Sequence, residues 1–151
     1  MNIFDEFIEI IKHIEHDKIR YALVGGVAMA FYTEPRFTQD IDLLIEPNDL
    51  EKVCQILENN GYFQSAAPWT FKNTPLTLHR FLKVIENDHM IIDLLVAGDE
   101  KHLNIIRNAH EAQGEHGNAR VAVKSDIIWL KRNRNSLQDQ ADIERLENED
   151  G

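Results

Sequence analysis

The run Met90-Ile-Ile-Asp-Leu-Leu-Val96 constrains this chain more than any other segment. Its residues are apolar except for one carboxylate in the middle, Asp93. An ionised acid in such surroundings is costly unless it is paired, bound to a metal or set at an open face of the sheet. On a strand Asp93 shares its face with Ile91 and Leu95. Two readings stay open: an outward-facing acid on an otherwise buried strand, or an acid placed for chemistry. Residues 77–85 are also β-rich. Glu86-Asn87-Asp88 separates them from 89–97 and signals a hairpin.

The other elements follow from spacing and punctuation. Ile3, Phe4, Phe7, Ile8, Ile11 and Ile14 recur at helical intervals, which predicts an amphipathic helix over 2–17. Tyr21-Ala-Leu-Val24 is a short apolar strand that runs into Gly25-Gly26, and 27–32 reads as a helix stopped before Pro35. Residues 40–46 read as a strand, 49–59 as a helix ending at Gly61. The segment 62–76 is irregular, with a short strand expected near 69–73. A helix over 99–110, a turn between Gly114 and Gly117, a last strand over 119–124 and two closing helices complete the chain. Ser125 is the expected cap of the first, 126–134, and the second covers 138–147. Strands alternate with helices, so the expected class is α/β (α+β): a mixed sheet flanked by helices, with a helical C-terminal segment.

The 151 residues suit one domain, expected over 1–147 with a disordered acidic tail at 148–151. Hydrophobic residues make up 43% and charged residues 28%, an ordinary globular composition. Cys54 is the one cysteine, so no internal disulfide forms within the chain and a reducing cytoplasm is the expected compartment. Acids at the N-terminus, where a secretory signal has bases, agree with that. No apolar run is long enough to span a bilayer. The formal charge of −10 argues against holding bulk nucleic acid through its phosphates. It leaves room for a small phosphorylated ligand carried with Mg2+, because the metal supplies positive charge locally.

Two features join Asp93. Gly25-Gly26 stands at a strand-to-helix junction, where a phosphate can approach backbone N–H groups and the helix start adds positive charge. The bland alternative is a tight turn. In Asp40-Ile41-Asp42 the two carboxylates share one strand face, roughly 7 Å apart, while Ile41 and Leu43 face the other way. Their repulsion must be opposed by folding or relieved by a cation. Mg2+ takes oxygen ligands and favours one or two carboxylates plus substrate phosphates. Two solvated acids on an edge strand are the alternative.

A glycine pair after a strand, a helix, two aspartates on the next strand and a third on a later one form a pattern. It resembles the DNA polymerase β-type nucleotidyltransferase superfamily. Thirteen residues separate Gly26 from Asp40, which suits it. More narrowly, Tyr21-Ala-Leu-Val-Gly-Gly-Val-Ala-Met-Ala with Pro35-Arg-Phe-Thr-Gln-Asp-Ile-Asp-Leu43 is similar to minimal bacterial nucleotidyltransferases, the AbiEii-type abortive-infection toxins among them. The likeness is strong over 21–45, weaker over 90–96 and weakest over 124–145, where Lys131, Asp139 and Asp142 look like the family's C-terminal helices.

The resemblance implies a nucleotidyltransferase fold and transfer of a nucleoside monophosphate from an NTP to an acceptor hydroxyl on protein, RNA or a small molecule. It implies two Mg2+ ions on Asp40 and Asp42, with Asp93 binding metal at the acceptor side and serving as general base. Gly25 and Gly26 would cradle the β,γ-phosphates. Arg36, Thr38 and Lys131 would support the carboxylates or touch the triphosphate; a surface or helix-exposed fate is the alternative for each. The short chain leaves little room for a separate acceptor-binding domain, so a partner protein or a homodimer is expected to complete the site. The other function class is a nucleotide-binding or regulatory toxin–antitoxin component with weak or no transferase activity.

The histidines add little at this level. His13 and His16 lack the partners of a zinc site. His79, His89, His102, His110 and His116 show no ligand spacing. Trp69, Phe71 and Trp129 read as core or lid aromatics.

Overall fold

The computed structural model describes residues 3–33, 40–71, 74–114 and 117–148. Helix α1 (Ile3–His16) buries Phe7, Ile11 and Ile14 of the stripe its spacing predicts, half-buries Phe4 and Ile8, and also buries Ile10. Strand β1 (Tyr21–Val24) is buried at every position. It passes directly into α2 (Gly25–Ala28), continued by a 3-10 turn over Met29–Phe31. The helix expected from residue 27 therefore starts at the glycines themselves. Gly25 adopts φ +75°, which lets the chain bend from strand to helix within one residue.

Strand β2 (Asp40–Ile45) and helix α3 (Leu50–Asn59) lie where the pattern puts them. The irregular stretch holds two short strands, β3 (Phe63–Gln64) and the expected one, β4 (Trp69–Thr70). The hairpin is β5 (Thr77–Ile85) and β6 (Asp88–Val96), so its loop is two residues and not three. Glu86 takes φ 53° in that loop.

Helix α4 (Glu100–Asn108) stops two residues short of its expected end. Ala109 is extended, and His110–Gly114 becomes strand β7, which was not anticipated. It forms because β8 (Gly117–Val121) offers a full antiparallel ladder, from His110↔Val121 to Gly114↔Gly117. Such a partner overrides local helical preference. Helix α5 (Lys124–Arg134) begins before Ser125, so Ser125 is not its cap. Extended Val123 holds that place, and its carbonyl accepts from the N–H groups of Asp126 and Ile127. Helix α6 (Leu137–Asn148) closes the described chain, and the rest of the expected tail, 149–151, lies outside it.

The strands form one mixed sheet in the order β3-β5-β6-β2-β1-β8-β7, with β4 also on β5. Pairs β2/β6 and β1/β8 are parallel; the others are antiparallel. The α/β (α+β) expectation holds. The central strands give up Tyr21, Leu23, Ile41, Leu43, Ile92 and Leu94 entirely to the core. Each such large side chain contributes about 1.5–3 kcal/mol. That rigid centre carries the acids. Among the described residues no helix is long and apolar enough to cross a membrane.

Candidate active site

Strand register assembles the site. Parallel pairing of β2 with β6 sets Asp42 opposite Asp93, and Asp40 opposite Ile91. Antiparallel pairing of β5 with β6 sets Arg80 opposite Asp93. Antiparallel pairing of β1 with β2 sets Val24 opposite Asp42. One row thus crosses four strands as Arg80, Asp93, Asp42 and Val24, and Gly25 follows at once. A Cβ on Gly25 would collide with the Asp42 carboxylate. The glycine is therefore required by close approach as well as by its positive φ.

Asp93 is buried and held by Arg80 through two hydrogen bonds, Nε to Oδ1 at 2.8 Å and Nη2 to Oδ2 at 2.9 Å. The same guanidinium lies 3.8 Å from Asp40 Oδ2 and 5.5 Å from the centre of the Trp69 ring. Its bond to Asp93 holds the Arg80 pKa above the usual value. Asp42 is only partly buried by surface, yet its carboxyl is pushed up to about 7. Desolvation is the main cause, the charge of Asp93 adds to it, and Arg134 and Lys131 oppose it.

The C-terminal helices face it. Buried Lys131 donates to Asp142 Oδ2 at 3.0 Å. Arg134 grips Asp139 with two bonds of 2.8 and 2.7 Å. Burial works to raise the Asp139 pKa, but hydrogen bonds from Arg134 and Ser136 hold it down at about 2. Lys131 and Arg134 line a cavity of about 220 Å³ together with Gly25, Asp42 and Leu95.

Of the residues singled out by sequence, Gly25, Asp42 and Lys131 meet at this cavity. Asp93 is the cross-strand neighbour of Asp42, and Asp40 lies two positions earlier on β2. Gly26 is buried in α2. Arg36 and Thr38 lie outside the described residues. Among the described residues no three His, Cys, Asp or Glu side chains group as a metal site. Three residues were not anticipated: Arg80, Arg134 and His102. A two-residue loop at Glu86-Asn87 would have placed Arg80 opposite Asp93; the other two carried no local signal.

The model of the family described as "Uncharacterised nucleotidyltransferase" matches residues 1–149. The chain belongs to that family. Solved structures of similar fold agree. A lincosamide antibiotic adenylyltransferase, LnuA, with lincomycin bound is 18% identical, with 94% of each chain covered and a TM-score of 0.67. A candidate nucleotidyltransferase of Thermotoga maritima is 10% identical over 95% of this chain and 91% of that one, with a TM-score of 0.63. The enzyme ANT(2'')-Ia in complex with adenylyl-2''-tobramycin is 14% identical over 95% of this chain and 86% of its own, with a TM-score of 0.60. No curated protein sequence matches the chain. Membership makes this nucleotidyltransferase an enzyme with an NTP and an acceptor as its substrates.

Proposed function

We propose that this nucleotidyltransferase moves a nucleoside monophosphate from an NTP, carried with Mg2+, onto an acceptor hydroxyl. The observation that carries the reading is the pairing of Asp42 with Asp93 beside Gly25, at a cavity that Lys131 and Arg134 close from the other side. Asp42, at the cavity, and Asp40, two positions earlier on the same strand face, suit Mg2+, which is held by few protein oxygens plus substrate phosphates. The raised Asp42 pKa is the same fit seen from the protein: a buried acid beside like charges is relieved by a cation. Bound there, Mg2+ would neutralise the triphosphate and lower the pKa of the acceptor hydroxyl.

The chain's own residues supply the rest. Asp40 and Asp42 are the metal-holding pair. Gly25 leaves the backbone open to the phosphates at the cavity, and Gly26, buried behind it, stays proposed as a phosphate contact. Lys131 and Arg134, fixed by Asp142 and Asp139, set two cations at the same cavity and stabilise charge on the leaving pyrophosphate. Asp93 is the general base for the acceptor hydroxyl, and Arg80 aims its carboxylate through two bonds. Arg36 and Thr38 stay proposed as triphosphate contacts from the segment before β2. In-line attack on the α-phosphorus then needs little more than positioning.

A small hydroxylated molecule or a protein is favoured as acceptor by the charge of −10, which disfavours RNA. Acceptors of the small kind appear with two of the similar structures, lincomycin and tobramycin. Placement in the abortive-infection branch, action in the cytoplasm and completion of the site by a partner or a second copy are finer proposals, the first supported by the likeness over 21–45. The test offers α-labelled NTP and Mg2+ to the protein with a cell lysate. Label should pass to a protein or a small molecule, and Asp42→Asn should abolish it. NTP binding without any transfer would favour the regulatory reading.

A further inference from the structure

His102 is 1% exposed, yet it lines the same cavity as Asp42. Its ring is fixed on two sides. Nδ1 lies 2.6 Å from Asp99 Oδ1, and the ring packs edge-on against Trp129 at 5.5 Å between centres. Asp99 also caps α4, accepting from His102 N at 3.0 Å, and this backbone bond leads in holding its pKa down. An ionised Asp99 is acceptor-only, so Nδ1 is the donor. In the neutral ring Nε2 then carries a lone pair, and it has no hydrogen-bond partner among the described residues. The same cavity is lined by the apolar side chains of Leu76, Leu95, Ile127 and Leu130, with Thr74 and Asn133 as its other neutral polar residues. The volume of about 220 Å³ is far above the roughly 10–15 Å³ that holds one water.

An unpartnered acceptor lining a cavity that combines apolar side chains with Lys131, Arg134 and Asp42 calls for a ligand of matching polarity. That ligand has phosphates at one end and a flat heterocycle bearing an N–H at the other. We propose that His102 Nε2 accepts a hydrogen bond from the exocyclic amino group of the nucleobase, and that adenine is the base selected. Guanine, cytosine and uracil would each bring a ring carbonyl into this apolar slot, at a desolvation cost that adenine does not incur. His102 is a specificity-determining residue, and Asp99 its positioning residue. The assignment rests on the nucleotidyl-transfer reading of the site.

Isothermal titration with Mg2+ and no acceptor tests it on the full chain. The ligands are ATP, GTP, purine riboside triphosphate (ATP without the amino group) and inorganic tripolyphosphate. Wild-type protein should bind ATP about tenfold more tightly than the triphosphate lacking the amino group. His102→Leu should bring that ratio to about one and leave tripolyphosphate affinity unchanged. His102→Gln, which keeps an acceptor, should retain part of the preference. A wild-type ratio near one overturns the assignment without any variant, and so does a folded His102→Leu that keeps the tenfold preference. Failure of every ligand, tripolyphosphate included, would overturn the site itself; binding of all of them without discrimination would overturn only the role of His102.

Discussion

At the residue scale the consequences centre on Asp42. Its folded pKa of about 7 exceeds an ordinary aspartate's, about 3.9. Between those values the unfolded chain has released its proton while the folded chain keeps it. The sign is therefore negative: this group's contribution to stability is complete below about pH 4 and is lost as pH rises toward and through 7. Asp42→Asn should remove that slope and stabilise the ligand-free protein by about 1–2 kcal/mol at pH 8. Urea titrations of both proteins at pH 5 and pH 8 check it, and an unchanged slope would count against the charge argument. Gly25→Ala should do the opposite. It forces φ +75° on an L-residue and drives a methyl into Asp42, so a loss of at least about 1–2 kcal/mol and of NTP binding is expected in thermal melts with and without ligand. The acids were legible in the sequence because each broke an apolar pattern: Asp93 inside Met90–Val96, Asp40 and Asp42 around Ile41. His102 was not legible. A lone histidine without ligand spacing says nothing until the packing of α4 and α5 around it is known.

At the element scale a single residue of hairpin loop decides the company of Asp93. A three-residue loop at Glu86-Asn87-Asp88 would shift the register by one and set Phe81 opposite Asp93; the observed two-residue loop sets Arg80 there. A one-residue slip moves every side chain to the other face, which is why loop length mattered more than strand identity. Arg80→Met should strand a buried carboxylate and cost about 3–5 kcal/mol in the absence of metal. Added Mg2+ should then raise the melting temperature more in this variant than in wild type, because a competing cation has gone. An equal or smaller rise would show that Arg80 and the metal do not share these acids. Helices α5 and α6 make a second test. Lys131→Ala removes the ammonium from fully buried Asp142, for an expected loss of about 3–5 kcal/mol by denaturant titration. A change below about 1 kcal/mol would mean that Lys131 is not what satisfies Asp142. Strand β7 stayed hidden in the sequence because its polar residues, His110-Glu-Ala-Gln-Gly114, become a strand only against β8.

At the scale of the whole molecule, the mixed sheet holds acids from β2 and β6 on one rigid row, and the C-terminal helices bring cations to the same cavity from the far end of the chain. The class of fold could be read in advance because alternation, glycine turns and helical spacing agreed over most of the length. The strand order could not, since the pairings β2/β6 and β1/β8 join segments far apart in the chain and leave no local trace. The most direct test of the central claim is a crystal structure with Mn2+ and a non-hydrolysable NTP, using anomalous scattering to find the metal. The account predicts Mn2+ bound by oxygens of Asp40 and Asp42 and by the triphosphate, with the phosphates against Gly25 and Gly26. Metal and nucleotide bound elsewhere, with these two carboxylates uncoordinated, would contradict it.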